Sequence, residues 1–259
     1  PIRNYYMSRR IGPDSTGFQF YVWDAEFTLD RGTKASITEV NSDGPGIVYQ
    51  LLKNSEAFRV QFSDRVQQHF SEGGAYYVDS ENADYDPENP QDNVPATLYL
   101  DVANEVASPI VAESARWGDE RGRNGPVFTR DDEWMPLINF NLGTFFPNRS
   151  RDFLADLRRN DLYRDAPAFS VPGGSIESGQ SVQLTAGSGV VYYTLDGTDP
   201  RNPDGSISAT AILGNALVIE QRTTLRARSL DGNEWSAIDV AEYFTDTVPA
   251  AATNLRISE

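Results

Sequence analysis

The sequence predicts an α+β chain: a mostly helical first part carrying one small β-hairpin, then an all-β immunoglobulin-like sandwich. Three observations predict it. Near the N-terminus two aromatic and β-branched runs flank a Gly/Pro turn. Between residues 44 and 163 apolar side chains recur at helical spacing. From residue 168 onward, short runs alternate with Gly, Asp and Pro turns at intervals of about ten residues, the rhythm of a sandwich.

The hairpin comes first. Tyr5, Tyr6 and Met7 form one run and Phe18 to Trp23 the other; Pro13, Asp14, Gly12 and Gly17 supply the turn between them. The second strand delivers Trp23 and Asp24 at its end. Helical spacing begins at Gly44 and runs to Asn54, with Ile47, Val48, Leu51 and Leu52. Ser55 then suits an N-cap, and Phe58, Phe62, Val66 and Phe70 make a four-residue stripe behind it. Residues 71–95 lose the periodicity and hold Asp79, Glu81, Asp84, Asp86, Glu88 and Asp92. Hard oxygen ligands cluster there, so a calcium (Ca2+) loop and a solvated acidic loop both fit, although EF-hand glycine spacing is missing.

Val94 to Asp119 is helical again, with Leu98, Val102, Val106 and Ile110 four apart; Pro109 should kink it or open a new segment. Residues 120–135 read as a polar connection, and a last helix is expected from Asn148 to Tyr163. The proline-rich run starting at Asp165 marks a boundary, giving domains 1–165 and 166–246, then 247–259 as a linker with the first strand of a further domain.

Composition narrows the functions. The 259 residues and 39% apolar content suit two folded domains. With 38 acidic against 22 basic residues the net charge is −16, which disfavours nucleic acid and anionic membrane surfaces as partners; solubility or an affinity for divalent cations accounts for it. The absence of cysteine excludes disulfides, thiolate catalysis and Cys-ligated metals. The single histidine, His69, would have to serve any catalytic triad, and its place beside Phe70 reads instead as a helix-end residue. No run of about 18 apolar residues is present, so no membrane insertion is expected. The opening residues read as the middle of a folded unit, so an upstream part is expected.

Two stretches carry resemblances. Val191 to Arg201 (VYYTLDGTDPR) with Thr223 to Ser236 (TTLRARSLDGNEWS) resembles the chitobiase/β-hexosaminidase C-terminal domain, an Ig-like accessory module. Asn4 to Asp30 (NYYMSRR…FQFYVWDAEFTLD), with GPGIVYQLLKN, FSDRVQQHF, ESARWGD and FFPNRS downstream, resembles CotH-type proteins, which share a distant protein-kinase fold. Leu255 to Glu259 (LRISE) is similar to the first strand of lamin-tail-like domains.

The CotH resemblance implies a kinase C-lobe-like part and binding of Mg2+ or Mn2+ with ATP by the parent protein. It makes Asp24 a metal ligand, aligns Asn4 with a second ligand, and sets Glu26 where many relatives have aspartate. Strand alternation would point Asp24 and Glu26 the same way. The family's nucleotide lobe and catalytic aspartate lie upstream of these strings, so no catalytic residue is expected in this chain and it should not transfer phosphate alone. The chain thus reads as part of a multidomain protein, secreted or on the cell surface, whose parent is an atypical kinase. A non-catalytic structural, adhesion or assembly protein and a carbohydrate-binding module are the alternatives. Other domains of the same polypeptide, surface proteins or polysaccharide would be the partners. Among the remaining residues, Glu113, Arg116, Trp117 and Asp119 read as helix-end pairing, Tyr192, Tyr193 and Trp235 as packing or a sugar platform, and Asp196 and Asp199 as turn residues.

Overall fold

A computed structural model of the chain describes residues 5–23, 29, 45–79, 85–121 and 125–245. The chain forms two units: Pro1–Leu52 with His69–Asn160, and Lys53–Gln68 with Asp161–Glu259. The architecture is mixed α+β, as the periodicities predict, with helices dominating the first unit and a β-sandwich the second.

In the first unit β1 (Tyr5–Arg9) pairs antiparallel with β2 (Phe18–Val22). The register sets Tyr5 opposite Val22 and Arg9 opposite Phe18. Helix α1 (Pro45–Leu52) follows. Helix α2 (Glu56–Phe70) belongs to the second unit up to Gln68. Asn93 caps the long helix α3 (Val94–Arg121): its Oδ1 accepts from the Ala96 N–H at 3.1 Å. The helix continues through Pro109, so no new segment begins there; a single proline removes one backbone donor, and the rest of a 28-residue helix holds. Gly118 is required near its end, because a Cβ there would lie 2.3 Å from the Phe128 carbonyl oxygen.

The stretch read as a polar connection instead opens a helix. A wide π turn (Arg130–Trp134), α4 (Met135–Phe140), a second π turn (Asn141–Phe145) and α5 (Phe146–Arg159) follow without a break. Thr129 starts the run, its Oγ1 accepting from the Asp132 N–H at 2.9 Å, while Glu133 reaches back to the Thr129 N–H.

The two π turns have a common cause. Pro136 and Pro147 lie one residue into α4 and α5, and a proline ring clashes with the carbonyl four residues earlier. Widening the preceding turn relieves that clash. At the second turn the Phe146 N–H bonds to the Asn141 carbonyl, so the next donor in the series falls on Pro147, which has none. The stranded Leu142 carbonyl is taken by the Tyr85 hydroxyl at 2.6 Å. Ala96, Ala103, Ile138, Leu142 and Phe146 form the core of this unit, with Tyr99 tilted 5.1 Å from Phe146. Phe70 stacks on Phe153 at 5.3 Å.

In the second unit, β3 (Ala168–Phe169), β5 (Gln180–Thr185) and β8 (Ala216–Ile219) form one sheet in the order β3-β5-β8. The other sheet runs β4 (Gly174–Ile176), β11 (Asp239–Thr245), β9 (Thr223–Asp231), β6 (Val190–Thr194) and β7 (Ile212–Leu213), with β10 (Glu234–Trp235) on β9. β4 pairs parallel with β11, so the first strand segments contribute to both sheets. Alternation buries Val182, Leu184, Leu217 and Ile219 from the smaller sheet against Val191, Tyr193, Leu225, Ala227, Ala241 and Tyr243 from the larger. Gly189 (φ +73) enters β6 where a Cβ would stand 2.3 Å from the Leu230 carbonyl oxygen.

Candidate functional site

The most heavily bonded charged group among the described residues is Arg228, on β9. Alternation sends its neighbours Leu225 and Ala227 into the sandwich core, so Arg228 lies on the outer face of the larger sheet. It is nonetheless only 2% exposed. Helix α2 and the residues after α5 account for this, since Val60, Val66, Leu162 and Tyr163 are buried in the same unit.

All five N–H donors of the Arg228 guanidinium are used. Nε and Nη2 donate to the two carboxylate oxygens of Asp199 at 2.8 and 2.7 Å. Nη1 and Nη2 donate to the two oxygens of Asp64 at 2.7 and 2.8 Å. The second Nη1 hydrogen goes to the Ser236 carbonyl at 2.8 Å. The Ile238 N–H adds a bond to Asp64 Oδ1 at 3.0 Å. Burial opposes the guanidinium charge, but the bonds and charges of Asp199 and Asp64 outweigh it and hold the pKa of Arg228 above its ordinary value. Asp199 is the mirror case: burial raises its pKa, yet the Arg228 bonds and charge and the Arg201 N–H bring it below the usual carboxylate range.

Three further contacts seat the helix. Glu56 pairs with Arg201 at 3.3 Å, and Gln67 accepts from the Tyr163 hydroxyl at 2.5 Å. Ser63 accepts from the Arg164 N–H at 3.2 Å. Glu56, Val60, Ser63, Asp64 and Gln67 fall on one helical face, so a largely polar stripe of α2 meets the rest of the unit.

The turn after β6 presents Asp199. Asp196 Oδ1 accepts from the Thr198 N–H at 2.9 Å and its hydroxyl at 2.6 Å, with Gly197 at φ +79. Those Thr198 bonds hold the Asp196 carboxyl below its ordinary pKa. Asp204 repeats the pattern with Ser206. Asp196 is thus a turn residue, while Asp199 serves both the turn, through the Arg201 N–H at 2.9 Å, and Arg228. Trp235 and Tyr193 are buried, Trp235 donating through Nε1 to the Gly205 carbonyl at 2.8 Å. Tyr192 packs at 5.8 Å from Trp235. Neither buried ring offers a face to a sugar.

In the first unit a cavity of about 630 Å3 lies against α3 and the π-interrupted helix, lined by Leu100, Ala103, Trp134, Ile138 and Leu142. Glu88 and the Arg130–Asp131 ion pair (2.7 Å) also line it. Its size suits a small molecule.

Asp24, Asn4 and Glu26 lie outside the described residues, as do Glu81, Asp84 and Leu255 to Glu259. Of the acidic loop, Asp79 N–H bonds to the Asp92 carbonyl at 2.8 Å and Asp86 Oδ1 accepts from the Glu88 N–H at 2.9 Å. Among the described residues no three acidic or histidine side chains are grouped to hold a metal ion. His69 sits at the end of α2, edge-on to Tyr76 at 6.3 Å. Arg116 lies over the exposed Trp117 ring at 4.9 Å. Sequence reasoning missed Asp64 and Arg228; the signal available was an arginine at an outward-facing position of β9.

The two-sheet arrangement and the Asp-Gly turn define an Ig-like or Fn3-like sandwich. Residues 182–243 match the Fn3-associated family, a span that contains Asp199 and Arg228 but not Asp64. No curated protein matches the chain.

Proposed function

We propose that this chain is a non-catalytic, structural part of a multidomain secreted or cell-surface protein, made of a CotH-type kinase-like scaffold and an accessory sandwich of the chitobiase C-terminal type. The observation that carries the reading is the Arg228 network: the buried arginine of the sandwich, braced by Asp199, is spent on holding Asp64 of α2. An accessory module whose charges bind its own flanking helix suits assembly or adhesion. The partners on this reading are other domains of the polypeptide, surface proteins or polysaccharide. Residues 255–259 would begin a lamin-tail-like domain.

A second reading keeps the parent as an atypical kinase using Mg2+ or Mn2+ with ATP, with Asp24, Glu26 and Asn4 as metal ligands. It is favoured by the β1–β2 hairpin, whose second strand ends at Val22, two residues before Asp24. Calorimetric titration of manganese-ATP into the parent protein, with Asp24→Ala alongside, separates the readings. The structural reading expects no binding; binding that is lost in Asp24→Ala would overturn it.

A further inference from the structure

We infer that the sandwich carries a preorganised carboxylate-binding site, and that Asp64 is the ligand it holds in cis. Three donors converge on one carboxylate: Arg228 Nη1 at 2.7 Å, Arg228 Nη2 at 2.8 Å and the Ile238 N–H at 3.0 Å. The planar guanidinium fork matches a carboxylate, which is two oxygens on one carbon, better than it matches a spherical anion.

The receptor is built by the sandwich itself. Asp199 grips the opposite edge of the guanidinium and is fixed in turn by the Arg201 N–H at 2.9 Å. The Ser236 carbonyl takes the remaining Nη1 hydrogen. Ser236 is locked to β9 by reciprocal bonds: its N–H donates to the Ser229 carbonyl at 2.9 Å and its Oγ accepts from the Ser229 N–H at 2.8 Å. That Oγ also donates to the Ala237 carbonyl at 2.7 Å. Every one of these residues lies within the family-matched span 182–243, and the carboxylate alone arrives from elsewhere. The guanidinium therefore keeps three of its five bonds and its orientation when Asp64 is removed. The Asp64 side chain is 24% exposed, so the site opens to water on the ligand's side. The ligand class is a carboxylate on a short arm, in this chain an aspartate on the face of a helix.

Chemical rescue tests the site in the full chain. Asp64→Ala empties it, and sodium formate is titrated against sodium chloride at matched ionic strength while thermal unfolding of the second unit is followed. At formate tenfold above its dissociation constant the variant's Tm should rise roughly 7 °C over the chloride control. The wild-type chain, whose site is filled, and Asp64→Ala/Arg228→Met, which lacks the fork, should not respond. Equal responses to formate and chloride, or an equal formate response in the double variant, would overturn the inference. Where Asp64→Ala does not fold in chloride, folded protein recovered in formate supports the site and no recovery overturns it.

Discussion

Replacing Arg228 by methionine is the most informative single perturbation of the second unit. Methionine occupies most of the hydrocarbon volume of the arginine, so the change removes the charge and five hydrogen bonds while leaving little cavity. Two carboxylates then lose the cation between them, and Asp199 keeps only the neighbouring Arg201 charge. Taking one partner from a buried ionic network costs about 3–5 kcal/mol when the remaining charges stay buried. Here Asp64 and Asp199 are 24% and 37% exposed, so both can recover part of their hydration, and the cost falls to about 2–3 kcal/mol. For a unit of about 100 residues that lowers Tm by roughly 10–15 °C. Calorimetry on the full chain reads it as a downward move of the second unit's transition with the first unit's in place. A loss below about 0.5 kcal/mol, the value of an exposed ion pair, would refute the reasoning.

Three other outcomes are expected. Tyr85→Phe should destabilise the first unit by about 1 kcal/mol, because the Leu142 carbonyl loses its donor. Chemical denaturation should show that penalty shrinking in a Pro147→Ala background, where the new N–H can take the carbonyl. Gly189→Ala should cost the sandwich about 2 kcal/mol or more, read as a lowered denaturation midpoint, since φ is +73 and the methyl would meet the Leu230 carbonyl. The depressed pKa of Asp199 means the folded state binds its proton less readily than the unfolded state. Its contribution is therefore complete above the ordinary carboxylate pKa and lost as pH falls from there through the folded value. Asp239, raised chiefly by burial, acts in the opposite sense, its contribution present at low pH and lost as pH rises from its unfolded value through its raised folded one. Acid titration of stability should accordingly be shallower in Asp199→Asn than in the wild-type chain.

Much of the fold was legible because it depends on local periodicity. The β1–β2 hairpin follows from two aromatic runs around a Gly/Pro turn, and α3 from its four-residue apolar repeat. The Asp-Gly turns of the sandwich announce themselves through residues that tolerate positive φ or bond their own backbone. The helix entered at Arg130 was hidden because its start, Arg130 to Trp134, is polar, while Pro136 and Pro147, residues that ordinarily interrupt a helix, are absorbed by π turns.

The partner of α2 was hidden for a different reason. The stripe Phe58, Phe62, Val66 and Phe70 is what a search for periodicity finds, whereas the side chains bonding α2 to the rest of its unit are Glu56, Ser63, Asp64 and Gln67. Polar contacts leave no hydrophobic repeat, and a carboxylate on a helix looks solvated until its arginine is seen 164 residues away. Arg228 is hidden in the same way, on the strand face that alternation assigns to water.

Native-state hydrogen exchange tests most directly whether α2 and the sandwich are one cooperative structure. Amides of residues 60–67 should exchange with nearly the same opening free energy as those of β9, and both sets should fall together in Arg228→Met. Helix amides that exchange orders of magnitude faster than β9, with β9 unchanged by the substitution, would contradict the account.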